Sequence, residues 1–397
     1  RVLFRSQKKK LVLVNPLNTS TKGLVIHRQV IYPPLGLGII ATLTPDDWEV
    51  ELIDENFDSF EYREADLVGI TALTSSVTRA YEIATIYEEK GIPTILGGIH
   101  ASMMPEEAKK IVSTIVVGEV ESVWKTLLED FTKGKMKRQY TGQILPMEEM
   151  VRPKHEIFHK DYKFASVQTS RGCPMNCEFC SVPAFNGNSY RYRPIEDVLD
   201  ELETINHSMV YFVDDNLIGY GRRAQRRTIE FCNGIIERGI KIEWFCSASM
   251  NFADNEEVLE LAAKAGCRMV LLGIESERIE QLQNMNKRLN AKMGIDSYEI
   301  VFNKIHKYGI AVLGAFIYGL ETDTPETMEA RTSYINNAAI DSVQATVLTP
   351  LPGTRLFNRL QEDGKIRFNN FPQDWQHYHF GEIVWNHDLM NQETMNK

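Results

Sequence analysis

The sequence predicts an α/β protein built as a doubly wound, Rossmann-like parallel sheet followed by a partial (β/α)6 barrel. Short runs rich in β-branched residues alternate with stretches of helical period along both halves, which is the pattern of βαβ units. Polar and glycine-rich segments follow many of these runs, where parallel sheets present their ligand-binding loops. At 397 residues the chain is also too long for one core, given ~150 residues per domain.

In the first segment, residues 10–132, strands are expected at Leu11–Val14, Val50–Ile53, Leu67–Ile70, Thr94–Leu96 and Thr114–Val117, with a helix over Thr78–Lys90. Residues 133–163 mix Gly, Pro and charge with weak period and read as a linker. The alternation resumes over 164–360, with strands expected at Ala165–Thr169, Val210–Val213, Glu243–Ser247, Met269–Gly273, Ala311–Ile317 and Ser342–Thr349. Residues 361–397 form a C-terminal extension without clear period. Its rings, Phe371, Trp375, Tyr378, Phe380 and Trp385, read as core packing rather than as a platform for a planar partner.

A net charge of −10, from 44 Lys+Arg against 54 Asp+Glu, argues against a broad nucleic-acid footprint or an anionic membrane surface. Arg222, Arg223, Arg226 and Arg227 fall at helical spacing and read as a solvated face. No run approaches the ~20 apolar residues of a membrane span and no signal peptide is visible, so a cytoplasmic location is expected. The opening Arg1 to Ser6 is left out of fold reasoning as a truncation or expression scar.

Directly after the first strand of the second segment stand Cys173, Cys177 and Cys180, spaced Cys-x3-Cys-x2-Cys. Three thiolates in one loop can hold three irons of a [4Fe-4S] cluster and leave the fourth open to chelate a substrate. Zinc is disfavoured, because no second Cys or His pair follows at a suitable spacing. Cys232, Cys246 and Cys267 lie inside apolar patterns and read as core, with no disulfide framework.

The cysteine loop, with Phe179 before its last cysteine, resembles the signature of the radical S-adenosylmethionine (SAM) enzymes. The resemblance implies that SAM chelates the open iron and is cleaved to a 5′-deoxyadenosyl radical. It carries over to further strand ends. Asp214 and Asp215 resemble the family's acidic motif, although a loop or N-cap role suits them as well. Gly273-Ile-Glu275-Ser276 resembles its Gly-x-Glu-Ser element, and Phe316 and Gly319 fall in a segment similar to the one lying along adenine. Leu351 follows in Thr349-Pro-Leu-Pro-Gly-Thr354. All of these, with Phe179, are thereby expected SAM contacts.

The first segment resembles the cobalamin-binding radical SAM group. The elements that carry this are Thr71-Ala-Leu73-Thr74-Ser75 after the third strand, Gly97-Gly98-Ile-His100 after the fourth, Gly118-Glu119-Val-Glu121 after the fifth, and Tyr32-Pro-Pro34-Leu-Gly36 near the start. Glycines at 97 and 98 would let backbone approach a bulky ligand. His100 admits two roles, a ligand contact or a satisfied structural histidine. The Asp-x-His-x-x-Gly motif whose His ligates cobalt elsewhere is replaced by Asn15-Pro-Leu-Asn-Thr-Ser20, so no protein His on cobalt is expected.

Together the resemblances imply a cobalamin-dependent radical SAM enzyme with a [4Fe-4S] cluster, SAM and cobalamin as cofactors. They further imply methylation of an unactivated carbon through methylcobalamin and the 5′-deoxyadenosyl radical. The expected partners are a small-molecule or lipid-like substrate and an electron donor such as flavodoxin or ferredoxin. Two rivals stand beside this reading: ring closure, rearrangement or oxidation with the same cofactors, and a non-catalytic cobalamin-binding protein or light sensor.

Overall fold

The computed structural model describes residues 8–18 and 31–391; Arg1 to Ser6, with Thr19 and Ser20 of the first strand-end loop, lie outside the described residues. Among the described residues the chain divides into two compact units, one of 8–18, 31–162 and 370–377, the other of 163–369 and 378–391.

The first unit holds a six-stranded sheet of β1 (Lys9–Asn15), β2 (Trp48–Asp54), β3 (Leu67–Thr71), β4 (Thr94–Gly97), β5 (Thr114–Val117) and β6 (Gln139–Thr141). Its order is β2-β1-β3-β4-β5-β6 and every pair is parallel. Leu11 to Val14 on β1 are all fully buried, as expected of an inner strand covered on both faces. The strand order reverses direction between β1 and β3, and doubly wound sheets take ligands at the carboxyl ends beside such a point. The segment expected to be a linker supplies β6 on the sheet edge. Three residues paired only to β5 are too short to show a period in sequence.

The second unit holds β7 (Ala165–Val167), a small antiparallel hairpin of β8 (Ser170–Arg171) and β9 (Arg191–Tyr192), then β10 (Met209–Phe212), β11 (Glu243–Ala248), β12 (Cys267–Glu275), β13 (Ala311–Tyr318) and β14 (Ser342–Val347). Six of these form an all-parallel sheet ordered β14-β13-β12-β11-β10-β7, with β7 and β14 left as edges, which is an open, partial barrel. Alternate residues such as Val210, Phe212, Trp244, Cys246, Val270 and Leu272 pack outward into one core with the covering helices. Cys232, Cys246 and Cys267 all belong to that core. β7 ends at Val167 rather than Thr169, because the Thr169 amide leaves the ladder to bond the Asp214 carboxylate at 3.0 Å.

The tail is divided. Residues 370–377 join the first unit, and those after them the second. Trp375, Tyr378 and Trp385 are buried, whereas Phe380 is exposed.

Candidate functional site

In the second unit, the chain leaving β7 is fixed before it reaches the cysteines, which lie in the loop between β8 and β9. Asp214, buried at the end of β10, accepts from the Thr169 amide (3.0 Å), the Thr169 hydroxyl (3.0 Å) and the Ser170 hydroxyl (2.5 Å). Asp215 accepts from the Gly172 amide (2.9 Å) and the Asn186 side chain (3.0 Å). Gly172 has φ +88°, and a Cβ there would lie 2.3 Å from the Ser189 carbonyl oxygen, so only glycine fits. The far side of the loop is tied by Glu178 N to Met285 O (3.0 Å), Arg355 to Asn176 O (2.7 Å) and Arg359 to the Glu178 carboxylate (2.9 Å).

Cys173, Cys177 and Cys180 line one cavity of about 290 Å³, together with Phe179, Asp215, Gly273, Glu275 and Lys287. None is in a disulfide. Burial pushes all three thiols up, Cys180 to about 12, and the nearby Lys287 ammonium works against that rise. Among the described residues no set of three Cys, His, Asp or Glu side chains converges to hold a single metal ion. Thiolates that each take a separate corner of a multi-iron cluster need no such convergence. A one-loop, all-sulfur donor set facing a cavity fits a [4Fe-4S] cluster with one iron left open to the cavity.

Glu275 ends β12 at φ +65°, a conformation non-glycine residues seldom adopt, next to a register shift in the pairing of β12 with β13. The bend turns its carboxylate to the Lys287 ammonium at 2.6 Å. Gly273 leaves room for that pair, since a Cβ would lie 2.6 Å from Lys287 Nζ and 2.7 Å from Glu275 Oε1. Burial pulls the Lys287 pKa down, but Glu275 and the cysteine loop outweigh it, so the group stays an ammonium. Lys287 escapes sequence reading because it sits in an Asn-Met-Asn-Lys-Arg turn after an amphipathic helix, where a charge reads as surface.

The other expected SAM contacts fall differently. Asp214 is committed to the cysteine loop, and Asp215 both braces that loop and lines the cavity. Ser276 is fully buried, its hydroxyl bonded to Gln281 (2.5 Å) and accepting from the Arg278 amide (2.9 Å), within a network around the buried Arg331–Asp323 pair. Phe316 packs in the outer core. Gly319 and Leu351 do not line the cavity, although Phe179 also borders a smaller void against Leu320 and Leu348.

In the first unit, the carboxyl edges of β3 and β4 present two kinds of residue. Leu73 is 65% exposed, and at Gly97 a Cβ would meet nothing within 4 Å, so an open, partly apolar ledge lies there. That ledge fits a bulky ligand. Tyr32 is exposed and Gly36 is likewise open around its Cα. Thr71, Ser75 and Glu121 are half-buried, and Pro34 caps the helix Leu35–Leu43. By contrast, Gly98 has φ +95° and a Cβ would lie 2.8 Å from the Ala72 carbonyl oxygen, so its glycine serves the joint between β3 and β4 rather than ligand approach. Gly118, at φ +78°, packs on Gly142, and Glu119 accepts from the Leu145 amide at 3.1 Å. Thr74 and His100 are buried against each other. His100 is fully buried, with Glu107 on its other nitrogen at 3.2 Å. After β1, Asn15 bonds Asp54.

A parallel sheet with an open ligand ledge, joined in one chain to a partial barrel whose first loop carries a three-thiol cavity, defines a radical SAM enzyme with a cobalamin-type domain. Residues 167–334 match the radical SAM superfamily and residues 21–128 the B12 binding domain. Bacteriochlorophyllide d C-12(1)-methyltransferase of Chlorobaculum tepidum is 32% identical over 94% of this chain and 82% of its own. Hopanoid C-2 methylase of Rhodopseudomonas palustris is 30% identical over 90% of this chain and 71% of its own. The structure of the radical SAM methyltransferase TsrM from Kitasatospora setae, with cobalamin and a [4Fe-4S] cluster bound, superposes with a TM-score of 0.72 at 20% identity, covering 90% of this chain and 78% of that one. The chain belongs to the cobalamin-dependent radical SAM enzymes, and its cofactors are a [4Fe-4S] cluster, SAM and cobalamin. Among the described residues no helix is long and apolar enough to cross a membrane.

Proposed function

We propose that this enzyme transfers a methyl group to an unactivated carbon of a small, predominantly apolar ring compound. The observation that carries the reading is the cavity that sets Cys173, Cys177 and Cys180 opposite the Glu275–Lys287 pair, in a chain that also carries the Gly97 ledge. When bound, the three cofactors supply a carbon-centred radical and a methyl group that leaves without an electron pair, which a non-nucleophilic sp3 carbon requires.

The chain's own residues hold and orient. The cysteines take three irons. Glu275 and Lys287 offer opposite charges to the zwitterionic methionine end of SAM, carboxylate to ammonium and ammonium to carboxylate. Exchanging one internal ion pair for two such contacts leaves no buried charge alone, which keeps the desolvation cost low. Leu73, exposed just after β3, would lie against a flat ligand bound on that ledge. An apolar substrate is supported by the side chains of Phe179, Val182 and Leu271 on the cavity wall, and by relatives named for bacteriochlorophyllide d and hopanoid. The electron comes from a flavodoxin- or ferredoxin-type donor.

The test is anaerobic reconstitution with cobalamin and SAM labelled in its methyl group, followed by mass analysis of products from a lipid and pigment extract. Labelled product with 5′-deoxyadenosine is expected. 5′-Deoxyadenosine without label in any product would replace methyl transfer by cyclisation or oxidation, and release of neither would remove the catalytic reading.

A further inference from the structure

The loops around the Gly97 ledge are tied to a stretch of chain from the far end of the sequence. Glu107 is the hub. Its carboxylate accepts from the Tyr81 hydroxyl at 2.9 Å and from the Trp375 indole N–H at 3.0 Å, and faces His100 Nε2 at 3.2 Å. A carboxylate can only accept, so Nε2 carries the imidazole proton, and in the neutral ring Nδ1 accepts from the Thr74 hydroxyl at 3.3 Å. Trp375 is fully buried, edge-on to His100 at 5.2 Å and stacked on Phe371 at 3.6 Å. Two further bonds fix the same stretch, Thr78 to the Pro372 carbonyl (3.1 Å) and Asn18 to the Gln376 carbonyl (3.0 Å).

These contacts fall on the segments that follow β1, β3 and β4. The helices that carry His100 and Glu107, Ile99–Met103 and Pro105–Ala108, have five and four residues, too few to be stable without tertiary anchors. Thr74 sits in a single 3-10 turn, Thr74–Ser76, directly after Leu73. The ledge is therefore framed by elements that do not hold themselves.

We propose that residues 370–377 form a strap that completes the cobalamin site, with Trp375 as a positioning residue that acts through Glu107 and His100 on the Thr74 turn. The inference rests on the cobalamin reading of the Gly97 ledge. The strap acts by fixing the spacing of the two loops on either side of the ledge. A stretch that meets Glu107 across 268 residues of sequence thus governs cofactor affinity at the ledge.

The test uses the full-length protein with its cluster assembled. Trp375→Phe keeps an aromatic ring there but loses the N–H with the rest of the indole, and Thr78→Val removes the other strap contact beside the Thr74 turn at nearly the same volume. Cobalamin affinity is read by visible absorption, SAM affinity by equilibrium binding, and loop order by hydrogen exchange of amides 72–76 and 98–102. The expected result for Trp375→Phe is roughly tenfold or more weaker cobalamin binding, from the loss of one hydrogen bond to a charged acceptor together with part of a buried ring. Thr78→Val should weaken it about threefold, a neutral bond's share. In both, exchange should quicken in the two loops, with SAM affinity and iron content unchanged. Unchanged cobalamin affinity in both variants overturns the strap, and so does a loss of SAM affinity in parallel, which would mark a general defect. If Gly97→Val blocks cobalamin while both strap variants bind normally, only the strap fails. If Gly97→Val binds normally, the ledge reading itself fails.

Discussion

Valine at position 97 separates a ligand ledge from a structural glycine. Gly97 ends β4, paired with Thr71, in a conformation open to any residue, and a Cβ there meets nothing within 4 Å. A β-branched side chain suits that backbone, and losing a glycine restrains the unfolded chain, so the fold should be unchanged or more stable by about 0.4–1 kcal/mol. For a cofactor lying along the ledge the isopropyl group is overpacking, at about 1–3 kcal/mol, which weakens binding roughly 5- to 150-fold. Gly98→Val behaves otherwise, because φ +95° and the 2.8 Å approach to Ala72 O impose about 1–3 kcal/mol of strain on the free protein. The assay is a cobalamin titration by visible absorption with melting temperature and iron content measured alongside. Gly97→Val should lose affinity at an unchanged melting temperature, whereas Gly98→Val should melt earlier. Normal cobalamin affinity in Gly97→Val would refute the placement of the ligand at the β3–β4 edge.

Replacing Cys173, Cys177 or Cys180 by Ala should abolish the iron-sulfur absorption, while Ala at Cys232, Cys246 or Cys267 should retain it at some cost in stability; a four-iron spectrum from Cys177→Ala would contradict the ligand set. Lys287→Met leaves Glu275 in the cavity without its cation, and SAM affinity measured by equilibrium binding should fall by roughly tens-fold, as for a lost charge-assisted bond of about 1.5–3 kcal/mol, with the cluster intact. Asp214→Asn replaces the carboxyl that accepts from three donors and should lower the melting temperature of the cluster-free protein, which a direct SAM contact would not do. Burial pushes the Glu107 carboxyl up, but its bonds from His100, Trp375 and Tyr81 outweigh that and hold it below the model-peptide value of 4.5. Its folded value is depressed, so its contribution to stability is full above that pH and lost as pH falls through the folded value. Acid unfolding monitored at Trp375 should therefore shift in Glu107→Gln.

What the amino-acid sequence determined alone is what depends on neighbours along the chain. Strand runs announce themselves by β-branched composition, so β1 to β5 and the barrel strands were legible to within a residue or two. The cysteine loop stood out for the same reason, since its three thiols lie within eight residues and their spacing is the signal. The tertiary structure decided whatever depends on residues that meet across long separations. Gly97 and Gly98 read alike in sequence, and only the Ala72 carbonyl tells the structural glycine from the open one. Lys287 comes to line the three-thiol cavity beside the carboxylate that the bend at Glu275 turns toward it, and the Ser276 hydroxyl is taken up by Gln281 and Arg331. Trp375 meets Glu107 across 268 residues. Local spacing carries no record of such pairings, because the energy that selects them is gained only when the whole sheet and its loops close together.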